Sequence, residues 1–130
     1  MNIEKTDKIQ IDFQKIGKIC DQQVIPVVVQ DFETKEVLVL AYTNQLAFEQ
    51  TKETKLVHFW STSRNKIWLK GEESRNYLEL IEIRINCEQN ALLYLVKLNG
   101  QGACHVKKDD GKPFFSCFYR KIVNGFLKFI

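Results

Sequence analysis

No stretch of the 130-residue chain is long and apolar enough to span a membrane, and the opening Met1-Asn2-Ile3-Glu4-Lys5 carries no apolar signal region. The chain also lacks internal repeats, low-complexity runs and linkers. Large charge of one sign is missing: 19 Lys and Arg against 16 Asp and Glu leave a net +3. That balance argues against nucleic acid or another polyanion as partner, while still favouring a small phosphorylated substrate. None of the four cysteines belongs to a Cys-x-x-Cys pair, so spacing alone does not establish a metal site. The expected location is the cytoplasm, where reducing conditions disfavour disulfides and turn attention to metal binding or thiol reactivity.

At this length the expectation is one domain over residues 1–130. The first 23 residues are mixed and polar, with Ile9, Ile11, Phe13, Ile16 and Ile19 loosely spaced, and support only a short element and a turn. From Ile25 the pattern sharpens. Residues 25–30 form a β-branched run, with Pro26 marking a strand start or edge. A turn at 31–35 leads into a second apolar strand at 37–42, and the two should pair as a hairpin. Thr43 or Asn44 then caps a helix carrying Leu46, Ala47, Phe48 and Thr51. Residues 56–61 return to strand. In 77–86 alternation sets Leu78 and Leu80 opposite Tyr77, Glu79, Ile81 and Ile83. Residues 91–98 complete a hairpin with that strand, and 114–120 and 125–130 close the chain as strands. One helix against many strands is an α+β, strand-rich domain. The 77–98 strands are apolar on nearly every position, more than so short a chain can cover, which calls for a second copy.

Three cysteines are candidates for chemistry: Cys87, Cys104 and Cys117. Three thiolates make an incomplete tetrahedron around zinc, with the fourth position open. Buried free thiols and a disulfide are the alternatives. Cys20 has no companion pattern and reads as structural. His105, next to Cys104, could accept a proton from water or give one to a departing nitrogen, or it could be a surface histidine. His58 reads as a half-buried strand residue. Trp60-Ser61-Thr62-Ser63-Arg64 and Trp68-Leu69-Lys70-Gly71-Glu72-Glu73-Ser74 supply the hydroxyl and cationic donors that phosphate oxygens require, from Ser61, Ser63, Arg64, Lys70 and Ser74; Gly71 lets backbone approach a ligand. A solvated hairpin whose two tryptophans pack is the bland alternative. Asn86, Glu88 and Asn90 alternate around Cys87 and, if extended, share an oxygen-rich face. Only Glu88 is charged, so this is a weak, degenerate Mg²⁺ site.

Taken in order, these segments resemble the phosphoribosyl-AMP cyclohydrolase family of histidine biosynthesis: Ile25-Pro26 to Gln30-Asp31, the Val37 to Asn44 run, the two tryptophan motifs, Cys87, Gly102-Ala103-Cys104-His105 and Ser116-Cys117-Phe118-Tyr119-Arg120. The resemblance covers roughly residues 13–122. It implies hydrolytic opening of the purine ring at the N1–C6 bond by an intertwined homodimer, with zinc held at the subunit interface by Cys104, Cys117 and the other protomer's Cys87. His105 is then the catalytic base, and Trp60, Ser61, Ser63, Arg64, Lys70, Gly71, Glu72 and Ser74 face a phosphorylated nucleotide. The chain departs from the family in three places. Asn86-Cys87-Glu88-Gln89-Asn90 stands where the family has Asp-Cys-Asp-x-Asp, Ser74-Arg75-Asn76 stands where Ser-Gly-His or Ser-Gly-Asn is usual, and residues 107–113 form an insertion. These departures leave Mg²⁺ doubtful. They keep two alternatives open, a hydrolase for another purine nucleotide and a non-catalytic, zinc-stapled dimer that binds a nucleotide or partner.

Overall fold

The computed structural model describes residues 4–8, 23–87 and 89–130. Cys20, Glu88 and the apolar positions between Ile9 and Ile19 lie outside the described residues, so the expectations placed on them are not addressed.

Eight strands and one helix are described: β1 (Ile25–Asp31), β2 (Val37–Thr43), α1 (Gln45–Thr54), β3 (His58–Ser61), β4 (Lys66–Leu69), β5 (Tyr77–Ile85), β6 (Leu92–Asn99), β7 (Arg120–Val123) and β8 (Phe126–Phe129). This is the expected strand-rich α+β layout. The main sheet runs β2-β1-β6-β5, with β3-β4 and β7-β8 as separate two-stranded hairpins. β1 and β6 pair in parallel, whereas β1-β2 and β5-β6 are antiparallel.

Alternation builds β1, where Val27, Val29 and Asp31 all point inward. Asp31 is tolerated there because its carboxylate accepts from the backbone N–H groups of Glu33 (3.2 Å) and Thr34 (2.8 Å), closing the turn into β2. The core gathers Val27, Val29, Leu38, Val57, Phe59, Leu78, Tyr94 and Val96. Asn44, the second of the two candidate caps, starts the helix by accepting from Ala47 N at 2.9 Å. Leu46, expected among the helix's apolar positions, is 57% exposed. The helix is tied to β3 by Thr51, whose hydroxyl accepts from His58 N (2.9 Å) and donates to Ala47 O. His58 is buried and its ring bonds Leu56 O at 2.8 Å, a structural role.

Two expectations fail. β5 does not alternate throughout: a bulge between Leu80 and Glu82 shifts the register, so Ile83 packs on the core with Leu78 and Leu80 while Ile81 is exposed. One extra residue in a strand inverts every face after it. Residues 114–119 are not a strand either. They run irregularly because their backbone groups serve two different segments, 103–106 and β2: Phe114 N donates to Val106 O, Phe115 O accepts from Ala103 N, and Cys117 N donates to Leu38 O (2.7 Å).

Candidate functional site

The irregular 114–119 segment has a chemical consequence. Cys117 N is fixed to the β2 carbonyl of Leu38, and the 103–104 backbone hydrogen-bonds to the carbonyls of Phe115 and Phe114 at 3.0 and 3.2 Å. Those two attachments bring the Cys104 and Cys117 side chains into hydrogen-bonding contact across thirteen positions of sequence. Gly102 permits the approach: a Cβ there would stand 2.4 Å from Phe114 O. The Cys117 thiol donates to Cys104 and lowers its pKa to about 6. Burial opposes that shift, while the Val106 N–H (3.4 Å from Sγ) and the positive charges of His105 and Lys70 reinforce it. Cys117 is pushed up by the same hydrogen bond and by burial. The pair therefore holds one proton on Cys117 and a thiolate on Cys104, the form in which a cysteine binds metal.

Lys70 follows β4 and is 5% exposed, with its ammonium 5.3 Å above the Trp68 ring. Burial lowers its pKa, and the negative charge of the cysteine pair acts the other way. Its backbone is held by Lys70 N to Val57 O at 3.1 Å.

The other candidates separate. Cys87 is exposed on the turn between β5 and β6, whereas Cys104 is buried and Cys117 half-buried. Among the described residues no three His, Cys, Asp or Glu side chains converge into a metal-holding group. One chain thus offers two adjacent thiols, one of them ionised, and needs a third donor from elsewhere; as half of a thiolate zinc site the donor chemistry fits. His105 is exposed, and its Nε2 lies 3.2 Å from Glu4 Oε1. Tyr119 OH donates to Glu4 O, and Arg120 Nη1 donates to Thr6 O at 2.8 Å, which anchor this strip of chain beside the histidine. Neither Glu4 nor the placement of Lys70 against the thiols was visible in the sequence, since partners 101 positions apart leave no periodic trace.

The two tryptophan motifs form the β3-β4 hairpin, but its register pairs Phe59 with Trp68 and Trp60 with Ile67. The tryptophans therefore face opposite sides; Trp68 packs on Phe59 (ring centroids 5.5 Å apart), and the Trp60 indole N–H is buried without an acceptor. Ser61, Ser63 and Arg64 lie in the turn at one end, where Ser61 Oγ accepts from Arg64 N at 3.2 Å. Lys70, Gly71, Glu72 and Ser74 lie beyond the other end. The four paired rows between them amount to about 10 Å.

At the described residues Asn86 and Asn90 the expected extended, oxygen-rich face does not form. The segment is a turn, with Gln89 at φ +56°. Asn86 Oδ1 accepts from Asn90 N and Ala91 N, both at 2.9 Å, and Asn86 Nδ2 donates to Asn90 Oδ1 at 2.6 Å. Polar atoms that might have met a cation close the turn instead.

The fold and the site define a small strand-rich α+β domain that brings two cysteines together next to an exposed histidine. The family model for phosphoribosyl-AMP cyclohydrolase matches residues 39–119, more than half of the chain. A phosphoribosyl-AMP cyclohydrolase of Archaeoglobus fulgidus is 47% identical over 102 residues, 78% of this chain and 88% of that protein. One of Cenarchaeum symbiosum is 44% identical over 114 residues, 88% of this chain and 94% of that protein. The histidine biosynthesis bifunctional protein HisIE of Lactococcus lactis is 45% identical over 102 residues, which span 78% of this chain and 45% of that protein. The chain belongs to the phosphoribosyl-AMP cyclohydrolase family.

Proposed function

We propose that this protein hydrolyses the N1–C6 bond of phosphoribosyl-AMP in histidine biosynthesis as a zinc-dependent homodimer. Family membership supports the reaction. The observation that carries the site is the contact between Cys104 and Cys117 with Cys87 exposed apart from them, two-thirds of a zinc site in one chain. A second copy supplies Cys87, and the exposed Ile81 and Ile85 on edge strand β5 provide apolar surface for that copy to cover.

Zinc, when bound, supplies the Lewis acidity that makes water nucleophilic at neutral pH. The chain's own part is to position and to move protons. His105 is exposed beside Cys104 and partnered by Glu4, so it can take a proton as water adds to C6 and return it to N1 as the ring opens. Ribosylation at N1 leaves C6 electron-poor, which makes the ring open to attack. Phosphoribosyl-AMP carries two phosphates. Donor groups at the two ends of the β3-β4 hairpin, whose paired rows span about 10 Å, suit a ligand with two anionic ends: Ser61, Ser63 and Arg64 at one end and Ser74 beyond the other. Mg²⁺ binding is weak, because Asn86 is committed to its turn and amides contribute no net charge.

Ring opening is followed spectroscopically on zinc-loaded protein, with turnover expected and its dependence on Mg²⁺ shallow. Cys87→Ser and Cys117→Ser are each expected to fall at least 100-fold in activity. Mixed and refolded together, they should regain about a quarter of wild-type sites, since half the dimers are mixed and each of those carries one intact site. Failure to regain activity sinks the shared site. Absence of turnover in the zinc-loaded wild type sinks the reaction and leaves a non-catalytic dimer.

A further inference from the structure

One carboxylate reaches the site from outside the motifs that the sequence displays. Glu4 Oε1 lies 3.2 Å from His105 Nε2, across 101 positions of chain. Both side chains are partly exposed, and such a pair ordinarily gains too little to offset the rotamer freedom it gives up. Here the backbone has ordered both partners beforehand. On the histidine side, Cys104 N donates to Phe114 O at 3.2 Å and Phe114 N donates to Val106 O at 3.1 Å, so Phe114 brackets His105. On the glutamate side, Tyr119 OH donates to Glu4 O, Arg120 Nη1 to Thr6 O at 2.8 Å, and Leu127 N to Asp7 O at 2.6 Å. The two sides meet at one stack. The Phe114 ring lies on Tyr119 with centroids 3.9 Å apart, and Phe129 stacks against the two at 6.0 and 5.9 Å. Phe114 therefore sets the histidine through its main chain and the glutamate through its ring. The strip at 4–8 and the β7-β8 hairpin that holds it both lie outside residues 39–119, the span that the family model matches.

We propose that Glu4 is a positioning residue for His105, a carboxylate that the braced 4–8 strip supplies to hold the imidazole in one rotamer and one tautomer. The inference rests on His105 being the group that moves the proton. A carboxylate oxygen only accepts, so Nε2 carries the hydrogen and Nδ1 keeps its lone pair. The hydrogen bond at one ring nitrogen thus fixes what the other can do. Nδ1 takes the proton as water adds to C6 and gives it to N1 as the N1–C6 bond breaks, while Glu4 neither gains nor loses one. Without the carboxylate the ring turns about its side-chain bonds and exchanges tautomers, so the lone pair faces the substrate less often. The contribution is orientation, which an uncharged acceptor in the same place also gives.

The test compares zinc-loaded wild type with Glu4→Ala, Glu4→Gln, His105→Gln and the Glu4→Ala/His105→Gln double variant. None of these substitutions removes the Glu4 main-chain carbonyl that holds Tyr119, so the brace stays anchored, and circular dichroism checks that each variant is folded. Glu4→Ala should lower kcat about 10-fold with KM unchanged, a part of what a general base contributes. Glu4→Gln should stay within about 3-fold of wild type, because its amide oxygen accepts from Nε2 in the same place. In the His105→Gln background Glu4→Ala should bring no further loss, since the glutamate acts through the histidine. A second readout needs no turnover: the ring ¹⁵N shifts, recorded above the pH range in which histidine titrates. His105 should show well-separated shifts in wild type that draw together in Glu4→Ala as tautomers mix. His58, the other of the chain's two histidines, should stay put with its ring on Leu56 O. An unchanged kcat in folded Glu4→Ala, an equal loss in the His105→Gln background, or ring shifts that do not move would overturn the proposal. Full activity in His105→Gln, or no turnover in wild type, would instead overturn the proposed chemistry, and the ¹⁵N shifts would still decide whether Glu4 holds the ring.

Discussion

Two turns of similar length flank the candidate site, one over residues 70–76 after β4 and one between β5 and β6, and they differ in what closes them. The first rests on main chain packed against main chain. A Cβ on Gly71 would stand 2.7 Å from the Asn76 carbonyl carbon and oxygen, so two backbone runs touch with nothing between them. The second also has main-chain bonds, Asn86 N–H to Ala91 O at 3.1 Å and Gln89 N–H to Asn86 O at 3.0 Å, but adds an exposed amide side chain, with Asn86 Oδ1 taking two further backbone N–H groups. The first turn begins at a buried cation, Lys70, and the second displays an exposed thiol, Cys87. Backbone packing leaves no give where a side chain must be held out of water, whereas an exposed turn can be pinned by a side chain that solvent could replace.

If that contrast is right, Gly71→Ala has the largest effect. The added methyl meets backbone, which has no rotamer through which to retreat, and φ +95° is itself unfavourable for alanine. A loss of about 3 kcal/mol in stability is expected by denaturant unfolding. Loss below about 1 kcal/mol would show that the turn yields and that backbone contact is not what holds it. Asn86→Ala should cost less, about 1–2 kcal/mol, since two backbone N–H groups lose their acceptor but can turn to water. The zinc affinity of each chain's buried pair should be untouched, and so should the midpoint of a Mg²⁺ titration of activity. A tight, saturable Mg²⁺ response that Asn86→Ala abolishes would break the comparison by making the second turn a cation site.

What could be read beforehand follows from which forces are local. The β1-β2 hairpin, the Asn44 cap and the β5-β6 pairing are written in neighbouring residues, as alternation, a capping amide and a short polar link, and the structure has them. Family membership was equally legible, because motifs in order survive divergence. The face of Ile83 was not, since the bulge after Leu80 depends on the partner strand. Nor was the irregular course of 114–119, where an apolar, aromatic composition suggests a strand but the hydrogen bonds go to β2 and to the 103–106 segment. The same non-local bonds bring Cys104 to Cys117, a contact that spacing alone does not show. Lys70 is the sharpest case: next to a glycine and several hydroxyls it reads as an exposed phosphate donor, whereas the fold leaves it 5% exposed with its ammonium over Trp68.

The smallest of the expected effects goes the other way. Arg75 occupies the left-handed region at φ +66°, in the place where the resembling family carries glycine. For a residue with a Cβ that conformation costs about 1–2 kcal/mol. Arg75→Gly removes the cost but gives the unfolded chain more freedom, which returns about 0.4–1 kcal/mol. The balance is a net stabilisation of about 0.5–1 kcal/mol, near 3 °C in Tm for a chain of this size, measurable by thermal unfolding of the zinc form. The arginine that accepts this strain is exposed on the turn that also carries Glu72 and Ser74. A strained residue kept where glycine would be easier implies a use for its side chain, and a guanidinium there can meet substrate phosphate in place of a poorly held Mg²⁺. Arg75→Gly should therefore raise stability and KM together, with a steeper response of the remaining activity to Mg²⁺. A variant that is more stable with KM unchanged would show that the guanidinium takes no part in binding. One that is less stable would show that the turn depends on the arginine for more than its backbone.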